Sequence, residues 1–177
     1  MKTLGVFVDV SNLYFGTNIA HGSHNASFGR RLNYAAYRKF IDSLGTVSTA
    51  VAYGGQVKNE AERFITKLRD VGFITKYKEP RITKIGDKTK WSINWNVGMT
   101  VDIVRTMESE PVDIIVLGSS DDNMIPMIEY IQERYGATFV VLASNITKKM
   151  KTLKGVTCIE IPRSLLETVH RRRHENS

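Results

Sequence analysis

An α/β fold built on a mostly parallel sheet is the class this sequence predicts, and three observations carry the prediction. Short Val- and Ile-rich runs alternate with amphipathic stretches from the N-terminus onward, the rhythm of strands joined by crossover helices. The first run, Thr3–Val8, is continuously apolar, as in a central parallel strand buried on both faces. It ends abruptly in Asp9, and a second run, Asp113–Gly118, ends in Ser119-Ser120-Asp121-Asp122-Asn123. In open α/β sheets, ligands bind at the carboxyl ends of the strands. The two strand ends are therefore expected side by side around a divalent metal.

The elements follow in order. After the first strand the chain breaks into a polar turn, Val10-Ser11-Asn12, and a long Gly- and Asn-bearing loop, Tyr14–Arg30. His21 and His24 in that loop are spaced H-x-x-H, but without a third ligand they read as ordinary loop histidines. Leu32–Leu44 has helical apolar spacing and stops at Gly45. Val47–Tyr53 is a strand, Lys58–Val71 a helix with Gly72 as its stop, and Phe73–Tyr77 the third strand. Lys76–Asn96 interrupts the rhythm with a protruding hairpin that turns at Ile85-Gly86-Asp87-Lys88. Val97–Met107 is a helix carrying Asp102 among apolar residues, where a carboxylate needs a cation or hydrogen-bond donors. It either pairs with a basic group or points into the metal site. Asp113–Gly118 is the fourth strand and Met124–Tyr135 a helix ended by Gly136. Thr138–Leu142 is the fifth strand, Thr147–Leu153 a short basic helix, and Val156–Ile161 a sixth strand. Arg163–His170 reads as a terminal helix running into a basic tail, and His170 and His174 do not read as ligands. No repeat or linker divides the chain, so one domain over 1–177 is expected, with 76–96 as a basic hairpin insertion and 163–177 as helix and tail.

Composition narrows the partners. The chain has 177 residues and a formal net charge of +7, which favours a polyanion. Its single cysteine, Cys158, lies in an apolar run and reads as a buried strand thiol. No apolar run approaches membrane-spanning length, and the residues after Met1 lack the apolar core of a signal peptide, so a cytoplasmic protein is expected. In the hairpin region, Lys76, Lys78, Arg81, Lys84, Lys88 and Lys90 are interleaved with Tyr77, Trp91 and Trp95. Cations meet phosphates and aromatic faces stack on bases, so this stretch is the nucleic-acid candidate. A solvated hairpin whose tryptophans pack on the core is the competing reading.

The chemistry rests on carboxylates. Asp9, Asp102 and Asp121 recur where a fold can gather them, and converging carboxylates repel unless a cation joins them. Hard oxygen donors suit Mg2+ or Mn2+, which share their shell with phosphate oxygens and serve phosphodiester cleavage. Asn12 is placed to orient Asp9, and Ser119, Asp122 and Asn123 to orient ligands, water or phosphate. Walker A, GxGxxG and GxSxG motifs are all missing, which removes the main signatures of P-loop, Rossmann and serine-hydrolase chemistry. A phosphatase of the haloacid-dehalogenase type is disfavoured, because Asp9 is followed by Val10-Ser11 rather than by a second acid two residues on. A receiver domain is disfavoured by the missing acidic pair near the first strand.

These residues carry a resemblance. Asp9-Val10-Ser11-Asn12 is similar to the D-G-x-N motif of the NYN-domain family, the PIN-like ribonucleases that include the LabA-like bacterial proteins. Val101-Asp102 matches the family's V-D helix motif, and Ser119 to Pro126 its S-G-D-x-D-F-x-P segment. The resemblance spans about 3–160 and implies a PIN-like three-layer α/β/α fold with sheet order 3-2-1-4-5. It implies metal-dependent cleavage of single-stranded or structured RNA, with Asp9, Asp102 and Asp121 as catalytic metal ligands, and a homodimer as one arrangement known among relatives. The sequence departs from the family at Val10 and Ser120, each in place of Gly, and at Asn123, in place of Asp. The family's Lys shortly before the helix Asp has no match. An RNA-binding module, catalytically weak or inactive on the same fold, is the alternative function.

Overall fold

The structure is a computed structural model and describes residues 1–21, 28–56, 61–86 and 88–170. β1 (Thr3–Asp9) leads directly into α1 (Val10–His21), followed by β2 (Phe28–Leu32) and α2 (Tyr34–Asp42). Then come β3 (Thr46–Gly55), α3 (Glu62–Asp70), β4 (Ile74–Lys78), and a hairpin of β5 (Arg81–Ile85) and β6 (Lys88–Ser92). α4 (Asn96–Ser109), β7 (Ile114–Gly118), a 3-10 turn at Asp122–Met124 and α5 (Ile125–Tyr135) complete the centre of the chain. β8 (Thr138–Ala143), α6 (Lys148–Lys151), β9 (Val156–Glu160), a 3-10 turn at Arg163–Leu165 and β10 (Leu166–His170) follow.

The main sheet has six strands in the order β4-β3-β1-β7-β8-β9, and every pairing is parallel. The expected order named five strands. Its sequence of neighbours recurs here with β9 added at the edge, and β2, β5, β6 and β10 lie outside the main sheet. The chain winds from β1 toward β3 and β4, then crosses back to β7 and on to β9. β1 and β7 therefore flank the switch point, the place where open α/β sheets take ligands at the carboxyl edge. Helices cover both faces, giving three layers. α4 and α5 touch each other on one of those faces.

The core explains the apolar runs. Leu4, Val6, Phe7 and Val8 of β1 and Ile115, Val116 and Leu117 of β7 are fully shut off from solvent. Tyr37 of α2 is also fully buried, and its hydroxyl donates to the Leu142 carbonyl at 2.9 Å. Gly118 sits where a side chain does not fit: a Cβ there would lie 2.8 Å from the Tyr37 hydroxyl and 3.0 Å from both Val8 methyls. Gly136 closes α5 in the left-handed conformation, φ +68°.

Two regions differ from expectation. The segment read as a polar turn and loop is helix α1 followed by strand β2; residues 22–27, with His24, lie outside the described residues. The segment read as a terminal helix is a 3-10 turn and strand β10, which pairs antiparallel with β2 from Leu166↔Leu32 to His170↔Phe28. Each strand supplies the other's ladder partners, a long-range gain that local helical spacing does not reveal. The Arg171–Arg173 tail lies outside the described residues. Cys158 is half-buried on β9 and unpaired.

Asp113 pins the start of β7 to β1. Its Oδ2 accepts from the Thr3 backbone N–H at 2.7 Å and from the Thr3 hydroxyl at 3.0 Å. These bonds hold its carboxyl below its ordinary range. A carboxyl whose pKa is lower folded than unfolded stabilises the fold above the unfolded value and loses that contribution as pH falls through the folded value. Asp113→Ala is therefore expected to lower Tm at neutral pH, with the gap from wild type closing in acid. A gap that stays constant across the acid range in a thermal-melt series contradicts this.

Candidate active site

Asp9 is both the last residue of β1 and the cap of α1. Its Oδ1 accepts from the Asn12 backbone N–H at 3.0 Å, the geometry of an N-cap. Parallel pairing puts Val8 level with Gly118 and Asp9 level with Tyr53. Asp121, just past β7, has the same design. It caps the 3-10 turn, its Oδ1 accepting from the Asn123 N–H at 2.9 Å, and its Oδ2 accepts from Asn96 Nδ2 at 2.8 Å. The Asn12 side chain does not orient Asp9 as expected. Its Oδ1 crosses to the other turn and accepts from the Ser120 N–H at 3.0 Å and the Ser120 hydroxyl at 3.2 Å. The Asp9 contact is made by the Asn12 backbone instead. The buried Ser119 hydroxyl accepts from the Asp121 N–H at 3.3 Å. This network holds the two strand ends in register.

Burial pushes the Asp9 carboxyl above its ordinary range; the Asn12 and Ser11 N–H groups pull it down, and the charge of Asp121 pushes it up again. Among the described residues no Lys or Arg ion pair reaches Asp9 or Asp121. Two like charges at a partly buried site without a protein cation match the donor set of a hard divalent ion, which takes one or two carboxylates and completes its shell with water and phosphate oxygens.

Asp102 resolves differently. Both its oxygens accept from Lys76 Nζ, at 2.8 and 2.7 Å, and Oδ2 also accepts from the Tyr53 hydroxyl at 2.7 Å. Its side chain is 15% exposed and that of Lys76 42%. Burial and the Asp102 bond keep Tyr53 protonated well beyond its ordinary range. Of the two roles open to Asp102 in the sequence, the structure has the basic partner. Among the described residues no three His, Cys, Asp or Glu side chains gather closely enough to hold a metal. The arrangement is a carboxylate pair plus a third carboxylate neutralised by lysine, where three converging ligands were expected. Asp122 turns away: its Oδ1 accepts from the Thr147 hydroxyl at 2.6 Å. The Asn123 contact to Asp121 is through its backbone, and its side chain is exposed.

The basic stretch divides. Lys76 is engaged by Asp102, and Lys78 Nζ donates to the Asn94 carbonyl at 2.6 Å and lies 4.2 Å from the centre of the Trp95 ring. Trp95 donates to the Gly54 carbonyl at 2.8 Å and packs against Tyr53, 5.3 Å between centroids. These three residues build the rim of the sheet. Arg81 and Lys84 are exposed on β5, whose partner β6 carries Lys88 and Lys90. The side chains of Lys88, Lys90 and Trp91 lie outside the described residues.

Sequence reasoning missed Tyr53, Asn96 and the pairing of Lys76. Tyr53 and Lys76 are register partners on β3 and the edge strand β4, so applying the strand-end rule to those two strands as well as to β1 and β7 would have pointed to both. Asn96, the first residue of α4, carries no comparable signal.

Comparison with protein-family models matches residues 3–159 to the NYN domain. Among solved structures, the chain is similar to the crystal structure of a protein of unknown function from Vibrio parahaemolyticus. That match has 25% sequence identity and a TM-score of 0.70, and covers 90% of this chain and 93% of the other. No curated protein matches the sequence.

Proposed function

The chain belongs to the NYN-domain family, a branch of the PIN-like nucleases, and from that premise we propose that it hydrolyses RNA phosphodiester bonds as an Mg2+- or Mn2+-dependent endoribonuclease. The observation that carries this reading is the pair Asp9 and Asp121, held at the switch point with no protein cation on either among the described residues. Asp9 and Asp121 would hold the ion. When bound, such an ion polarises a phosphate oxygen and stabilises charge on the leaving oxygen. Asn96 fixes the Asp121 carboxylate through its amide, and Asn12 and Ser120 tie the two capping turns together. Lys76 neutralises Asp102, so this third carboxylate adds little repulsion toward an incoming phosphate. Arg81 and Lys84 on the hairpin meet the RNA backbone.

The test is cleavage of labelled RNA that requires Mg2+ or Mn2+ and stops with EDTA. For the hairpin, Arg81→Glu/Lys84→Glu is expected to weaken RNA binding. Two lost phosphate contacts would flatten the slope of log affinity against log salt by about 1.4. An unchanged slope in a salt-titrated binding assay removes the hairpin from the interface.

A second reading, an RNA-binding module with weak or no catalysis, is favoured by two observations. Asp102 is already ion-paired, and Asn stands at position 123, where the resemblance expects an acid. It predicts RNA retention without metal-dependent cleavage.

A further inference from the structure

Next to the turn that follows Asp9 the fold leaves a cavity of about 800 Å³, lined by Val10 and Ser11 at the start of α1 and walled by β2, α2, α3 and the end of β4. That volume is on the scale of a nucleotide-sized ligand site. Its lining is unusual for a structural void. Tyr14 and Phe15 stand on the second turn of α1, 55% and 63% exposed, with their rings edge to face at 5.4 Å. Opposite them Tyr34 and Phe64 form a second edge-to-face pair at 5.3 Å. The Tyr77 hydroxyl, also in the lining, is buried without a hydrogen-bond partner among the described residues. Such a hydroxyl is ready for a polar ligand atom.

The cavity lining carries three cations, Arg31, Arg63 and Lys67, and two acids, Asp70 and Glu167. Arg63 and Lys67, one turn apart on α3, are exposed on its wall with no ion pair among the described residues. Arg31 is paired with Glu167 and is not available in the same way. Aromatic faces flanked by unpaired cations match a base with its phosphate, since every base has a face to stack and every nucleotide a charge to meet. A neutral peptide would leave the cations without a counter-charge, and an aliphatic lipid chain would leave the aromatic faces without a flat partner to stack on. A duplex keeps its bases stacked and has to unstack and unpair one before it can be inserted. Distance fits as well: Phe15 is six residues beyond Asp9, so it lies about 9 Å along the α1 axis from the carboxylate.

We propose that this cavity takes one unstacked nucleotide of single-stranded RNA, its base against Tyr14 and Phe15 and its phosphate on Arg63 and Lys67. The proposal rests on the reading of RNA as the substrate and adds a specificity pocket that begins at the two residues after Asp9. It makes the protein a reader of unpaired RNA, with a base held next to the bond to be cut.

The experiment is fluorescence anisotropy of a labelled short single-stranded RNA, and of a blunt duplex of the same sequence, with full-length protein in EDTA, so that binding is read without cutting. Phe15→Ala and Lys67→Glu are compared with the parent, and both sites are exposed enough for the fold to persist, checked by thermal melting. Each variant is expected to weaken single-strand binding by about tenfold, the scale of one lost stack or contact, with duplex binding changed less than twofold. Single-strand affinity within twofold of the parent in Phe15→Ala overturns the proposal. So does an equal loss for single strand and duplex, which would mean surface charge only. Because the readout is binding, a failed nuclease reading shows up separately, as intact RNA in Mn2+ with these binding differences still present.

Discussion

Asp9→Asn is expected to make the protein more stable in EDTA while abolishing its cleavage of RNA. The direction of the first effect follows from the raised carboxyl. A group whose pKa is higher folded than unfolded supports the fold below the unfolded value and loses that support as pH rises through the folded value. Burial and the charge of Asp121 raise Asp9. At neutral pH its ionised form therefore opposes folding, and Asn removes that opposition while an amide oxygen can still accept from the Asn12 N–H. The loss of cleavage should be about a thousandfold or more, because about 4 kcal/mol of charge stabilisation goes with the ion. Two measurements check this: Tm in EDTA with and without added Mn2+, and the cleavage rate. Wild type should gain Tm from Mn2+ and the variant should not. The wild-type Mn2+ affinity should also start to fall in acid at a higher pH than an ordinary aspartate would set, since protons compete with the ion for the metal-free Asp9 carboxyl. A variant less stable than wild type in EDTA would mean that Asp9 is chiefly a helix cap.

Lys76→Met is the second large effect. Asp102 is mostly buried and Lys76 partly exposed, so the pair lies between a surface bridge and a buried one. Removing the lysine leaves the carboxylate with the Tyr53 hydroxyl as its remaining side-chain donor. A loss of about 1–3 kcal/mol is expected in a denaturant titration, less than breaking a fully buried pair and more than losing an exposed one. Adding Asp102→Asn should recover most of it, because the uncompensated charge is then gone. The same variant tests the role of Asp102. If that carboxylate can reach the ion, Lys76→Met should bind Mn2+ more tightly than wild type in calorimetry. Unchanged Mn2+ affinity would leave Asp102 as a structural partner of Lys76.

The contrast between Asp9 and Asp102 shows which parts of the molecule were legible in the sequence. β1 and β7 announced themselves, because a strand buried on both faces has to be continuously apolar and an Asp at its end breaks that run. The parallel rhythm then fixed their neighbours. β2 and β10 were not legible. Phe28-Gly29-Arg30-Arg31-Leu32 has no strand period of its own, and Leu166-Glu167-Thr168-Val169-His170 follows a stretch that also fits helical spacing. They are strands because they pair with each other across more than a hundred residues. α1 was hidden by Gly16 and Asn18, poor helix formers, although Asp9 three residues before Asn12 was a visible cap. Within the site, residues fixed by strand ends could be placed. The donors that complete it, Tyr53, Lys76 and Asn96, come from other elements and are set by the packing of the sheet.

The measurement that bears most directly on the central claim is a cleavage time course on labelled single-stranded RNA, comparing wild type with Asp121→Asn in Mn2+, in Mg2+ and in EDTA, alongside a gel shift. Cleavage by wild type in either metal, stopped by EDTA and by the substitution while the shifted band persists, is the expected result. An intact RNA in every lane with the shifted band present would contradict it and make the protein a binding module, and cleavage undiminished in Asp121→Asn would contradict the assignment of the site.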